Sequence, residues 1–176
     1  MGEVLLRYLS VISNDMIASE SYLSAAGIGG LAGIALCILL KREKSLTSYG
    51  SWFLGCTYLT YVLIMTIFSR KAGDTRTIQL VPLASWGRTV TSHCIFIENI
   101  LFFIPVGVFL PAMLEKIRKI YICVPVIIGI SLVIEILQFI TIRGYCQVDD
   151  LITNGIGALI GYGFFKLCEA SMKKNE

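Results

Sequence analysis

Five long apolar runs constrain the fold of this chain more than any other feature of its sequence. They cover roughly residues 21–40, 50–68, 97–114, 120–141 and 151–168, and a helix needs about 20 apolar residues to cross the hydrocarbon core of a bilayer. Hydrophobic residues make up 56% of the chain and charged residues only 15%. The mean hydropathy is +0.77, so one compact soluble core cannot bury the apolar surface. We therefore predict an all-α integral membrane protein with about five transmembrane helices.

The first twenty residues differ from this pattern. The stretch VLLRYLSVISNDMI is too short and too polar to cross a membrane, and it lacks the positively charged start of a signal peptide. An N-terminal interfacial helix within residues 1–20 is the favoured interpretation, and disorder is the alternative. Residues 21–176 are predicted to form a single multi-span membrane domain.

Basic residues at the ends of the runs favour one orientation, because cytoplasmic loops carry an excess of Lys and Arg. If the loops after the first and third runs and the C-terminus are cytoplasmic, nine of the 15 basic residues lie inside. This assignment predicts an outside N-terminus, a cytoplasmic C-terminus, and two polar loops outside, at 69–97 and 142–150. The nine are Lys41, Arg42, Lys44, Lys116, Arg118, Lys119, Lys166, Lys173 and Lys174.

Several classes of function are disfavoured by composition. The net charge of +3 is small and spread in short clusters, and we find no nucleic-acid-binding motif. A single histidine and the lack of a Cys-x-x-Cys motif argue against a zinc site. Of the cysteines, Cys94 and Cys146 fall in the two predicted outer loops. They are either a disulfide pair or two free thiols.

The fourth run contains a polar stripe. Ser131, Glu135 and Gln138 are spaced four and three residues apart, which places them on one face of a helix. A carboxylate at membrane depth costs several kcal/mol unless it is paired, protonated or in a wet cavity. The stripe is therefore expected to face the interior of the bundle.

The fifth run combines polar groups with glycines. Asp150, Asn154, Gly157 and Gly161 follow a spacing of four, three and four, so they share one helical face. The Gly-x-x-x-Gly pair predicts close approach of another helix. The short linker makes the fourth run the expected partner. Asp149 lies one position off the stripe and is expected to point towards solvent.

The third run adds Asn99 and Pro105. Proline removes a backbone donor, and irregular backbone at membrane depth is tolerated beside a cavity. We therefore predict an outward-facing polar cavity in the outer leaflet, where a ligand would bind. The residues expected to form it are Asn99, Glu135, Gln138, Arg143, Asp150 and Asn154. A purely structural interpretation stays open, with Glu135 and Arg143 as an ion pair and the two adjacent aspartates starting a helix.

Four stretches resemble the VanZ-like family of bacterial membrane proteins: IQLVPL (78–83), NILFFIPVGVFLP (99–111), SLVIEILQ (131–138) and RGYCQVDDLITNGIGALIGY (143–162). The resemblance implies a multi-pass protein of the bacterial cell membrane, associated with low-level resistance to glycopeptides, to teicoplanin more than to vancomycin. It assigns polar or structural roles to Pro82, Asn99, Pro105, Gly107, Glu135, Gln138, Arg143, Asp150, Asn154, Gly157 and Gly161. An arginine after the second run belongs to the pattern, and both Arg70 and Arg76 fit it.

Three functions are compatible with these residues. The first is binding of membrane lipids, of a lipid-linked or cell-wall-precursor group, or of the glycopeptide itself, with Arg70, Arg76, Arg88 and Arg143 holding anionic groups. The second is an enzyme acting on a lipid phosphate, with Glu135 and Asp150 as catalytic residues and Mg²⁺ on Asp149 and Asp150. The third is a proton-coupled carrier, in which a homodimer would supply more helices.

Overall fold

The computed structural model describes residues 6–10, 25–39, 46–68, 78–87, 89–142 and 146–174. The four arginines that we predicted to hold anionic groups lie outside these ranges: Arg70, Arg76, Arg88 and Arg143.

Five helices of ten or more residues occur within the described ranges, and they correspond to the five apolar runs. They are α1 (Gly30–Leu39), α2 (Leu46–Leu63), α3 (Val90–Met113), α4 (Ile120–Thr141) and α5 (Val148–Lys174). A π-helical turn at Ala25–Gly29 precedes α1, and another at Ile64–Phe68 continues α2. Four are long and apolar enough to cross a membrane: Tyr49–Ile67 and the whole of α3, α4 and α5. The described helix from Ala25 to Leu39 is shorter. The all-α membrane class is confirmed.

Helix α4 has the predicted limits, whereas α3 and α5 extend beyond theirs. Helix α3 begins at Val90 rather than near residue 97, because the Thr89 hydroxyl accepts a hydrogen bond from the Ser92 backbone N–H at 3.1 Å and caps the helix. Helix α5 begins at Val148, and Asp149 and Asp150 occupy its first turn, where carboxylates suit the helix dipole. The ends of both predicted polar loops, residues 90–97 and 148–150, are therefore helical.

The glycine face of α5 packs against α3, so the predicted partner, the fourth run, is wrong. A Cβ atom built on Gly157 would meet the Ile100 carbonyl oxygen, and one on Gly161 would meet the Ile104 carbonyl oxygen. Gly107 of α3 provides the reciprocal surface, since its Cβ would meet the Ala158 carbonyl oxygen. A short connection between α4 and α5 did not dictate the closest packing, because glycines on both α3 and α5 allow their backbones to touch.

Helix α3 runs without a break through Pro105 and Pro111, so the irregular backbone predicted there is not observed. Proline at position 105 removes a donor from the helix. Close by, the Tyr58 hydroxyl donates a hydrogen bond of 2.9 Å to the Phe102 carbonyl oxygen. Pro105 removes the helical donor of the Leu101 carbonyl, so the contact with Phe102 ties α2 to α3 without replacing that bond.

A short parallel pairing joins the segments that precede α3 and α5. Strand β1 (Ile78–Gln79) pairs with β2 (Cys146–Gln147), with Ile78 opposite Cys146 and Gln79 opposite Gln147. The two loops predicted to share one side of the membrane therefore meet at one end of the bundle, which we call the polar end. At the opposite end, the Tyr162 hydroxyl donates to the Arg118 carbonyl oxygen at 2.8 Å.

Candidate functional site at the polar end of the bundle

Helices α3, α4 and α5 contribute a group of polar side chains, which we call the polar cluster. The stripes identified in the sequence face the protein interior as expected. Glu135 is only 2% exposed, although it carries a carboxyl group. The cluster consists of the half-buried Asn99 and the buried Ser131, Glu135, Gln138, Asp149, Asp150 and Asn154.

The two adjacent aspartates of α5 have different partners. Asp150 accepts a hydrogen bond from Asn99 Nδ2 through Oδ1 at 2.7 Å, which links α5 to α3. Asp149 accepts one from the Leu83 backbone N–H through Oδ1 at 2.5 Å. The prediction that Asp149 points towards solvent is therefore wrong, since its exposed fraction is 2%. The loop that carries Leu83 covers it, and helical periodicity contains no information about that loop.

Glu135 and Gln138 contact backbone groups from other segments. Glu135 accepts a hydrogen bond from the Gln147 backbone N–H through Oε2 at 3.0 Å, so this carboxyl group holds β2 against α4. Gln138 donates through Nε2 to the Thr66 carbonyl oxygen at 2.8 Å. The stripe of α4 thus binds the segments before α5 and at the end of α2.

Two buried carboxamide oxygens of the cluster receive no hydrogen bond from the described residues. Asn154 donates through Nδ2 to Ser131 Oγ at 2.7 Å. Within the described part of the chain, Asn154 Oδ1 and Gln138 Oε1 are buried and receive no hydrogen bond. Buried polar atoms are nearly always satisfied, and an open one costs about 1–3 kcal/mol. These two oxygens are therefore candidate acceptors for donor groups of a ligand.

Sequence reasoning missed the backbone donors and acceptors of the site. The N–H groups of Leu83 and Gln147 and the carbonyl of Thr66 bind cluster side chains, yet nothing in a residue type identifies them. Thr153 was also missed. It is fully buried, and its hydroxyl donates to the carbonyl oxygens of Asp149 and Asp150 at 2.9 and 3.1 Å.

The Mg²⁺ site suggested by the paired aspartates stays a prediction, since one or two carboxylates with waters can hold this ion. In the structure, Asp149 and Asp150 accept hydrogen bonds from separate segments, the loop around Leu83 and helix α3. Among the described residues, no three His, Cys, Asp or Glu side chains come close enough to hold a metal ion.

The pKa of the Cys146 thiol depends on the charge of two carboxylates of the cluster. Cys94 and Cys146 are both free thiols, Cys94 buried and Cys146 half-buried. Burial raises the pKa of Cys146, and the carboxylates of Glu135 and Asp150 raise this pKa further. Less thiolate is therefore present at a given pH, and the thiolate is the reactive form.

We expect Glu135→Gln to lower the pKa of Cys146, because it removes one of the two negative charges while keeping an oxygen that can accept from Gln147. The measurement is the pH profile of maleimide labelling, in a Cys168→Ala background because Cys168 is exposed. The labelling midpoint should move to lower pH in the variant. The matched control is Cys168 labelled in a Cys146→Ser chain. An unmoved Cys146 midpoint would show that Glu135 carries no charge in the folded protein.

Comparison with known proteins agrees with this architecture. The family model described as VanZ/LLP1 matches residues 53–169, which includes α3, α4, α5 and the whole polar cluster. This chain belongs to the VanZ/LLP1 family. A relative named Protein VanZ, from Enterococcus faecium, is 29% identical over 101 residues, which is 57% of this chain. The matched part spans 60% of the relative's length. No solved structure matches the chain.

Family membership and the apolar helices together identify an integral membrane protein. The family match extends over every described residue of the polar cluster, whereas it excludes the first 52 residues. The cluster therefore lies within the part of the chain that matches the family.

Proposed function

We propose that this chain is a cell-membrane protein of the bacterial envelope that lowers sensitivity to glycopeptides, teicoplanin above all, by binding a lipid-linked or cell-wall-precursor group at the polar cluster. The family resemblance implies the association with teicoplanin, and the relative named Protein VanZ supports it. The cluster supplies the candidate binding groups.

The observation that carries the proposal is the pair of buried carboxamide oxygens that lack a hydrogen-bond donor. Gln138 Oε1 and Asn154 Oδ1 are buried, and within the described residues no donor reaches them. A ligand rich in N–H and O–H groups would satisfy both oxygens. The amides and sugar hydroxyls of a wall precursor are such groups, whereas an aliphatic lipid tail has none.

The orientation of the chain is part of the proposal. The polar end would face outwards, because the opposite end carries Lys116, Arg118 and Lys119 between α3 and α4 and Lys173 and Lys174 at the end of α5. Precursor groups exposed to glycopeptides lie on the outer surface. This orientation therefore brings the cluster to the leaflet in which the proposed ligand is displayed.

The experiment is growth of a glycopeptide-susceptible Gram-positive host in teicoplanin and in vancomycin. The host expresses the wild-type chain, Asp150→Ala or an empty vector, with membrane levels matched by blot. We expect the wild type to raise the inhibitory concentration of teicoplanin more than that of vancomycin, and the variant to lose this effect. A wild-type chain that leaves both concentrations unchanged would contradict the proposal.

A further inference from the structure

The loop formed by residues 78–87 exposes an unusual amount of apolar surface. Its sequence, IQLVPLASWG, contains no charged residue. Leu80 is 73% exposed and Leu83 62%, and Ile78, Val81 and Trp86 are also exposed. Contiguous exposed apolar side chains of this size mark a surface that binds a protein or a membrane.

Hydrogen bonds define the conformation of the loop, and its apolar side chains point outwards. Val81, Pro82, Leu83 and Ala84 form a turn closed by a hydrogen bond from the Ala84 N–H to the Val81 carbonyl oxygen at 3.3 Å. Pro82 occupies the second position, and Leu83 the third with a φ of 62°, a combination typical of a type II turn. The Leu83 N–H, thus oriented, reaches Asp149 Oδ1.

Aromatic contacts fix the second half of the loop to α3. The Trp86 ring stacks on the His93 ring with centroids 4.3 Å apart and meets Phe96 edge-on at 4.9 Å. His93 Nε2 lies 3.2 Å from the Gly87 carbonyl oxygen. On the other side of His93, the Tyr8 hydroxyl is 2.8 Å from Nδ1, so the N-terminal segment joins the same stack.

The surface of the loop is continuous with surface that faces lipid. Helix α3 crosses the membrane and begins at Val90, three residues after Gly87, and Ile95 on its second turn is exposed. Leu6 and Leu9 of the N-terminal segment add exposed apolar side chains beside Tyr8. Tryptophan at the end of a transmembrane helix is typical of the membrane–water interface.

We propose that the 78–87 loop inserts into the interfacial region of the bilayer and acts there as a lid on the polar cluster. The partner is the lipid, because the uncharged loop borders the end of a transmembrane helix and carries an exposed tryptophan there. Since the Leu83 N–H binds the buried Asp149, a ligand that replaces this donor on Asp149 displaces the loop. The lid rests on the proposed function, whereas insertion of the loop does not, so quenching of Trp86 tests insertion whether or not the cluster binds a ligand.

The test is fluorescence quenching of Trp86 in the full chain, reconstituted into phosphatidylcholine vesicles. The acyl chains carry bromine either close to the head group or near the chain end, and iodide serves as the aqueous quencher. The other tryptophan, Trp52, is buried. The difference between wild type and Trp86→Phe therefore isolates Trp86 without altering the core.

Bromine near the head group should quench at least half of the Trp86 emission, more than bromine at the chain end, and iodide should quench little. Efficient iodide quenching without bromine quenching would overturn the proposal. Leu80→Asp should reverse the pattern by drawing the loop into water, and Leu80→Ile should preserve it. If Leu80→Asp does not fold, comparing bromine and iodide quenching of Trp86 in the wild type still decides whether the loop is inserted.

Discussion

Gly161→Ala is expected to destabilise the folded bundle by about 3 kcal/mol, which is the cost of forcing extra atoms into close-packed structure. The added Cβ would meet the Ile104 carbonyl oxygen and would lie 3.0 Å from Gly107 Cα. Both neighbours are backbone atoms, so no flexible side chain can turn aside. Helices α3 and α5 would have to separate, and the Asn99–Asp150 hydrogen bond spans the same interface.

The measurement is the midpoint of thermal unfolding of purified protein in detergent, read as the monodisperse fraction that survives heating. Gly163→Ala is the matched control, because it lies two residues away on α5 and its Cβ would have nothing within 4 Å. Alanine at an open helical position should be neutral or slightly stabilising. Equal midpoints for the two variants would contradict the packing of α3 on α5.

Asn99→Ala is expected to cost about 2 kcal/mol, because it removes a hydrogen bond to a buried carboxyl group. Asp150 is buried on the first turn of α5, and its Oδ1 lies 2.7 Å from Asn99 Nδ2. Truncating the amide leaves that oxygen without its donor from α3. The loss should exceed that of Thr91→Ala, the control, since Thr91 is exposed on the same helix.

A double-mutant cycle with Asp150→Ala isolates this interaction. Stability is measured for both single variants and for the pair, and the coupling energy should be about 1.5–3 kcal/mol. If the effects of the single variants simply add, Asn99 and Asp150 do not interact in the folded protein. The contact that joins α3 to α5 at the polar end would then be wrong.

Periodicity in the sequence predicted the helices and the buried stripes correctly. Helix α4 begins and ends where its apolar run does, and its stripe of Ser131, Glu135 and Gln138 is buried as predicted. A polar group at membrane depth is so costly that only an inward orientation is stable. For the same reason Asn154, on the stripe of α5, also faces the interior.

Contacts between segments distant in sequence were not predictable in this way. The spacing of Gly157 and Gly161 indicated a close-packed face but not its partner. A Gly-x-x-x-Gly face allows close approach of any helix that presents small residues to it. Asp149 was assigned to solvent because helical periodicity considers only its own helix. A turn centred on Pro82 and Leu83, 66 residues earlier, supplies its hydrogen-bond donor.

The predicted cavity is, in the structure, a covered cluster. Glu135, Gln138 and Asp149 are almost fully buried, so the ligand that we propose would gain access only when a covering segment moves. We propose the 78–87 loop as that segment, since it contacts Asp149 and is paired through β1 with the residues before α5. Ligand binding by the cluster and membrane insertion of the loop are separable, and each has its own test.

We propose above all that the polar cluster binds a wall-precursor group. The most direct measurement is binding of a polyprenyl-diphosphate-linked disaccharide peptide to the full chain in lipid nanodiscs, with polyprenyl phosphate alone as the comparison ligand. Glu135→Gln keeps the shape and removes the charge, and Thr141→Ala, exposed on the same helix, is the control. We expect wild type and Thr141→Ala to bind the disaccharide peptide equally, and Glu135→Gln to bind it about tenfold more weakly, a difference of about 1.4 kcal/mol. Equal binding by all three chains, or no binding by the wild type, would contradict the claim.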